Sequence, residues 1–248
     1  MQNTTIPQKQ ASYFEIGTDN NNTIWLDGLG DNLFSYGKDG WKQWTPETTK
    51  SKGAYNINYN STTGETFFCS DAGLTIKKSD TWTKINKDSL TALPSNRVCF
   101  AQRDSKNRLW IGTYSGAVMI DENGKAVNFE TTDTILKGLT ITSMAEDEKG
   151  NVYFGLFEFN LKRNPGSRNK NEGIGIYNTN GTWKHLTTEN SGIPCNQNNS
   201  IAYSKAEKAL WISSETCGLS RYDKKKTRGK ITTMKTHRFL HLKYFRLI

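Results

Sequence analysis

The groups able to do chemistry in this chain are single polar residues in loops, not a compact catalytic motif. Asp27, Asp31, Asp71, Glu158 and Glu215 are carboxylates in turn-rich segments, and Tyr114, Arg163 and Arg168 lie in similar segments. A carboxylate accepts hydrogen bonds from hydroxyls, a guanidinium holds an anionic group, and a tyrosine ring stacks on the apolar side of a sugar. Brought together, such a set suits a polar ligand: an oligosaccharide or a partner protein. Asp, Asn and Gly also fill turns for backbone reasons alone, and each carboxylate has that second reading.

Patterns for catalysis are thin. The sequence has no G-x-S-x-G elbow and no phosphate-cradling glycine loop. Its three His are His185, His237 and His241. The last two are four apart but have no third ligand in view, so no metal site and no cofactor is expected. Carboxylate pairs for glycoside cleavage would come from separate segments without a local signature. A glycoside hydrolase or polysaccharide lyase therefore stays open as an alternative. "GKDGWKQW" and "KKSDTWTKI" place a Trp after a turn but lack the S-x-D-x-G-x-x-W spacing of sialidase boxes. No C-x-x-C pair occurs. Cys69 and Cys99 fall in strand patterns and are expected to be buried thiols. Cys195 and Cys217 fall in loops and could pair in an oxidising compartment.

Composition says what must position these groups. Hydrophobic residues make up 34% of the 248, aromatics 11%, with 7 Trp and 21 Gly. That balance suits many short strands and turns, with aromatic rings supplying burial. No long stretch carries apolar residues at helical spacing, and none is apolar enough to span a membrane. The net charge of +9 is local: 9 of the 33 Lys and Arg follow Asp223, with no acid among them, and the remaining 24 face 24 acids. No nucleic-acid partner is expected for the body. The first ten residues, "MQNTTIPQKQ", lack the regions of a secretory signal, which fits a cytosolic chain or one shorn of its leader.

An aromatic phrase recurs. It appears around Trp25 ("NNNTIWLDGLGDNLFSY"), Phe67 ("TTGETFFCSDAGLTIKK"), Trp110 ("SKNRLWIGTYSGAVMID"), Tyr153 ("EKGNVYFGLFEFN") and Trp211 ("AEKALWISSETCGLSRYD"). The spacings are 42, 43, 43 and 58; an insertion of about fifteen residues within 156–173 lengthens the last. Each unit holds four strand-like pieces: one before a polar turn, the aromatic phrase, a piece such as "GAVMID", and after a second turn such as "ENG" a piece such as "WKQWT". Four antiparallel strands per forty-odd residues is the blade of a β-propeller, whose blades bury aromatics against their neighbours. The expected fold is all-β, a propeller of about five four-stranded blades, either incomplete or with an additional partial blade. Trp25, Phe67, Trp110, Tyr153 and Trp211 are its structural aromatics.

Two segments, "LPSNRVCFAQRDSKNRLWIGTYSGAVMID" and "NSGIPCNQNNSIAYSKAEKALWISSETCGLSRYD", resemble the two-component regulator propeller repeat, with its L-P-x-N, D-x-x-G-x-L-W-I-G-T and G-L-x-x-Y-D pattern. The resemblance covers about residues 12–223. It implies a sensor propeller of the kind found in hybrid histidine kinases, or a related free-standing secreted propeller, in the periplasm or outside the cell. Three departures stand out: no membrane helix, kinase or regulator segment is present, only about five repeats are recognisable, and "GLSRYD" is not followed by the usual G-x-W-x-x-Y strand.

The expected organisation is a propeller over 1–223, with repeats near 12–50, 51–96, 97–138, 139–198 and 199–223, then a basic tail over 224–248. That tail reads as a closing strand in unusual form, a basic extension or an altered reading frame. In propellers, ligands meet the loops joining strand two to strand three and strand four to the next strand one. Those loops hold Asp27, Asp31, Asp71, Tyr114, Glu158, Arg163, Arg168 and Glu215, and the 156–173 insertion adds Lys162 and Lys170. The expected function is recognition of a glycan or partner protein without catalysis; the enzyme above and a protein-interaction scaffold are the alternatives.

Overall fold

The computed structural model describes residues 13–19, 21–28, 31–129, 135–157, 172–214 and 217–223. The tail, most of the insertion and four of the expected site residues (Glu158, Arg163, Arg168 and Glu215) lie outside them. The chain divides into two compact units, Met1–Arg103 and Asp104–Ile248.

In the first unit, β1 (Tyr13–Thr18), β2 (Ile24–Gly28), β3 (Leu33–Gly37) and β4 (Gly40–Trp44) pair in chain order as an antiparallel sheet. A single-turn helix, α1 (Pro46–Thr49), follows; Pro46 starts it, and Lys50 stops it in a left-handed conformation. The second sheet is β5 (Asn56–Asn60), β6 (Glu65–Ser70), β7 (Gly73–Lys78) and β8 (Thr81–Ile85), again in chain order. The unit ends with β9 (Val98–Arg103), the first strand of a third sheet.

The other strands of that sheet, β10 (Leu109–Thr113), β11 (Gly116–Ile120) and β12 (Ala126–Asn128), open the second unit. A fourth sheet comprises β13 (Thr140–Glu146), β14 (Val152–Phe157), β15 (Gly173–Tyr177) and β16 (Trp183–Leu186). A fifth comprises β17 (Asn198–Ser204), β18 (Ala209–Ser214) and β19 (Gly218–Tyr222). Four sheets have the four strands expected. The fifth has three among the described residues, since the chain after Asp223 lies beyond them. Among the described residues no helix is long and apolar enough to cross a membrane.

Strand register repeats with the sequence. Three residues after the aromatic, β6, β10, β14 and β18 pair with the glycine that opens the next strand: Ser70 with Gly73, Thr113 with Gly116, Leu156 with Gly173, and Ser214 with Gly218. The rings therefore occupy matching places. In the first unit Trp25 packs on Phe68, Trp44 and Trp82, with centroids 5.2, 5.5 and 5.9 Å apart. In the second, Trp110 packs on Phe154, Phe129 and Trp183, at 4.9, 5.6 and 6.5 Å. Each quartet joins two neighbouring sheets of its own unit. Trp25, Phe67, Trp110 and Tyr153 are buried.

The turn before three of the five aromatics carries a second rule. Asp104 Oδ1 accepts the backbone N–H groups of Lys106 and Arg108, both at 3.0 Å, while Oδ2 accepts Trp110 Nε1–H at 2.8 Å. Asp19 does the same for Trp25 at 3.0 Å, and Asp147 for the Tyr153 hydroxyl at 3.0 Å. An aspartate six residues ahead thus closes the turn and satisfies the polar edge of the buried ring. Lys205 stands at that position before Trp211, and Trp211 is only half-buried, contrary to the buried ring expected there.

The W-I-G-T phrase now has a physical reading. Trp110 is the ring of the second unit's quartet, and Ile111 is fully buried. A Cβ on Gly112 would sit 2.5 Å from Ile141 Cβ, so only glycine admits this approach of β13. Thr113 Oγ1 donates to the Gly116 carbonyl at 2.9 Å and accepts from Ser115 N–H at 3.1 Å, clamping the next turn.

Candidate functional site

The loop joining β6 to β7 is built like that turn. Ser70 Oγ donates to the Gly73 carbonyl at 3.1 Å and accepts from Ala72 N–H at 3.2 Å. Asp71 is thereby held at the tip, one residue beyond the end of β6.

Two residues from other loops of the first unit meet it. Tyr55, just before β5, is tied to β6 by its N–H on the Cys69 carbonyl at 2.7 Å. Its hydroxyl donates to Asp71 Oδ2. Arg97, just before β9, donates from Nε to Asp71 Oδ1 at 2.7 Å. The loop bearing Arg97 contains the L-P-x-N motif. Leu93 is buried, and Asn96 Oδ1 accepts the Lys87 N–H at 2.8 Å. In the last repeat Ile193 is likewise buried, and Asn196 caps Thr188 N–H at 2.8 Å. The motif is an anchor that fixes where the following residue emerges.

The trio is open to solvent. The side chains of Arg97 and Asp71 are 49% and 50% exposed, and Tyr55 is 49% exposed. Partial burial pushes the Asp71 carboxyl up, but the Tyr55 hydroxyl and the Arg97 guanidinium outweigh it and hold it below the ordinary range. The cluster offers a guanidinium, a carboxylate and an exposed ring within one patch, and suits recognition of a polar surface.

The other expected site residues divide. Asp27 is 5% exposed; its Oδ1 accepts Ala54 N–H at 2.7 Å, so it ties β2 to the segment before β5 and faces inward. Asp31 is exposed with φ 57°, and its carbonyl accepts Gly53 N–H at 3.1 Å. Tyr114 is half-buried, and its carbonyl accepts the Thr140 hydroxyl at 3.2 Å. Of the eight, Asp71 alone is seen in a cluster of exposed functional groups among the described residues. Tyr55 and Arg97 escaped the sequence reading. Arg97 lies one residue past L-P-S-N, and that adjacency is the signal that would have found it.

His185 lies in β16, half-buried against the Glu172 carbonyl at 3.2 Å; burial lowers its pKa, and the carbonyl contact works against that. No cluster of three metal-ligating side chains occurs among the described residues. Cys195 and Cys217 are joined in a disulfide, Cα atoms 6.0 Å apart. Cys69 is a buried thiol as expected; Cys99 is only half-buried, because its thiol turns toward the Arg97 carbonyl, 4.0 Å away beside the open patch, yet burial still pushes it up.

Residues 92–115, from Ala92 through the Trp110 strand to Ser115, match the sequence model of the family described as two component regulator propeller. This segment is similar to a two-component regulator propeller repeat. It runs from the anchor of the L-P-S-N loop to the Thr113 clamp, so the repeat's signature residues are those with the structural tasks above.

The fold is a β-propeller fold, as the solved structures it resembles show. Two are extracellular domains of hybrid two component systems from B. thetaiotaomicron, each 18% identical, with TM-scores of 0.65 and 0.67. They cover 93% and 96% of this chain, which spans only 28% and 30% of theirs. A third is virginiamycin B lyase from Staphylococcus aureus, 16% identical with a TM-score of 0.63, covering 92% of this chain and 71% of the lyase. Propellers similar to this one thus include sensor domains and an enzyme. No curated protein matches the sequence.

Proposed function

We propose that this chain is a ligand-binding, sensor-like propeller module acting without catalysis, outside the cytoplasm. The Tyr55–Asp71–Arg97 patch carries the reading. Three loops of the first unit deliver an exposed ring, a carboxylate and a guanidinium to one place, and such a set matches the hydroxyls and apolar face of a glycan or the polar surface of a partner protein. The Cys195–Cys217 disulfide supports a periplasmic or extracellular location. So does the likeness to the extracellular domains of hybrid two component systems.

The test is a glycan array followed by thermal-shift titration of the full chain. A glycan that raises the melting temperature and is recovered uncleaved supports the reading. Asp71→Ala is expected to weaken that glycan at least tenfold, since it removes the acceptor that positions both Tyr55 and Arg97. Cleavage of the glycan would favour the hydrolase or lyase alternative. Unchanged affinity in Asp71→Ala would move the site away from this patch.

A further inference from the structure

The opposite ends of the same strands hold a second feature. The Asp71 patch sits where β6 ends; where β6 begins, a cleft of ≈ 550 Å³ opens. It is open to solvent rather than enclosed.

Register builds it. Glu65, Lys78 and Thr81 lie opposite one another across β6, β7 and β8, and Ile76 lies opposite Thr83. Residues two apart share a face of a sheet, so Lys78 and Thr81 stand beside Ile76 and Thr83. Ile76 is buried and gives an apolar floor. One wall is the ion pair between Arg103 at the end of β9 and Glu65, with Nε–Oε2 at 2.5 Å and Nη2–Oε1 at 3.0 Å. Thr63 Oγ1 adds a third donor to Glu65 at 2.6 Å.

That wall decides the sign of the cleft. A fork-shaped guanidinium grips a carboxylate in two places, whereas a lysine acts as a point charge. Arg103 thus grips Glu65 in two places, while Lys78, whose charge also acts on Glu65, is exposed and makes no direct ion pair among the described residues. The hydroxyls of Thr81 and Thr83, both on exposed residues, have no hydrogen-bond partner among the described residues either. Two cations and one anion line the cleft, together with the hydroxyls of Ser79, Thr81 and Thr83.

We propose that this cleft binds a small oxyanion, a phosphate or carboxylate group, with Lys78 as its counter-charge and Thr81 and Thr83 as donors. With one solvent-exposed lysine the affinity is weak. The site is separate from the Asp71 patch and does not depend on it.

The test is a backbone-amide NMR titration of the full chain with inorganic phosphate and, in a second arm, acetate. Ionic strength is held constant with sodium chloride, which also serves as the reference salt. The expected result is saturable shifts confined to residues near Lys78–Thr83 with at least one of the two anions, and the stronger arm identifies the group. Lys78→Met is expected to abolish saturation, Thr83→Val to weaken it severalfold, and Asp71→Ala to leave it unchanged. Both cleft substitutions are at exposed positions, so the rest of the spectrum reports an intact fold. Equal shifts with chloride, no shift with either anion, or an unaltered titration in Lys78→Met would overturn the assignment.

Discussion

Asp104 and Trp110 are joined by a hydrogen bond from the indole N–H to Oδ2 at 2.8 Å, and the Asp104 side chain is fully buried. The same oxygen takes Arg108 Nε at 2.6 Å, and Oδ1 takes two backbone N–H groups. One carboxylate therefore sets a turn, neutralises a cation and orients the central ring of an aromatic quartet. Asp104→Ala leaves a cation and three N–H donors without their acceptor, and its expected cost is about 3–5 kcal/mol. Asp121 closes the β11–β12 turn through the N–H groups of Asn123 and Lys125 but reaches no ring. Asp121→Ala is expected to cost about 1 kcal/mol. Urea unfolding of the two variants checks the contrast; equal losses would show that the link to the ring adds nothing.

Gly112→Ala separates close packing from turn geometry. Its Cβ would meet Ile141 Cβ at 2.5 Å and the Ile141 carbonyl at 3.2 Å, so β13 must move. The expected loss is about 1–3 kcal/mol. Ile141→Val keeps the Cβ and Cγ2 that the new methyl meets, so adding it to Gly112→Ala is expected to recover nothing. Urea unfolding of the single and double variants checks this; a double variant more stable than Gly112→Ala would place the conflict at the end of the Ile141 side chain instead.

These relationships explain which parts were legible beforehand. The repeat could be read because its tasks are local: Asp104, Trp110, Gly112 and Thr113 sit within ten residues, and the first three have counterparts 43 later in Asp147, Tyr153 and Gly155. The site could be read only in part, because contacts between repeats leave no local mark. Asp71 meets Arg97 across 26 positions, and Asp27 meets Ala54 across 27. In the sequence Asp27 and Asp71 look like similar loop carboxylates. What separates them is distance from the aromatic. Asp27, two residues after Trp25, takes the place held by Gly112 after Trp110, which faces the next sheet; Asp71, four after Phe67, has already left the strand.

The disulfide joins the segment before β17 to the β18–β19 turn across a sequence separation of 22. A loop of that size closed by a covalent bond stabilises by about 3 kcal/mol through the unfolded chain. Cys195→Ser with Cys217→Ser is expected to lower the melting temperature by several degrees and to remove all response to dithiothreitol. The parent should fall to the level of the double variant when reduced. A parent indifferent to reductant would mean that the bridge adds no stability.

Glu65 should make unfolding pH-dependent in a defined direction. Burial pushes its carboxyl up, but the hydrogen bonds from Arg103 and Thr63, with the charges of Arg103 and Lys78, outweigh burial and hold it below its ordinary 4.5. A carboxyl depressed in the folded state adds stability that is complete above its unfolded pKa and is lost as pH falls through the folded one. Stability measured by urea midpoint should therefore decline below about pH 4.5, and Glu65→Gln should flatten that decline while lowering stability at pH 7. The neutral amide leaves Arg103 without its counter-charge, so the two curves should converge as the pH drops. Parallel curves across about pH 3–7 would show that Glu65 titrates alike in the folded and unfolded chains, and that its grip on Arg103 is not what keeps it ionised.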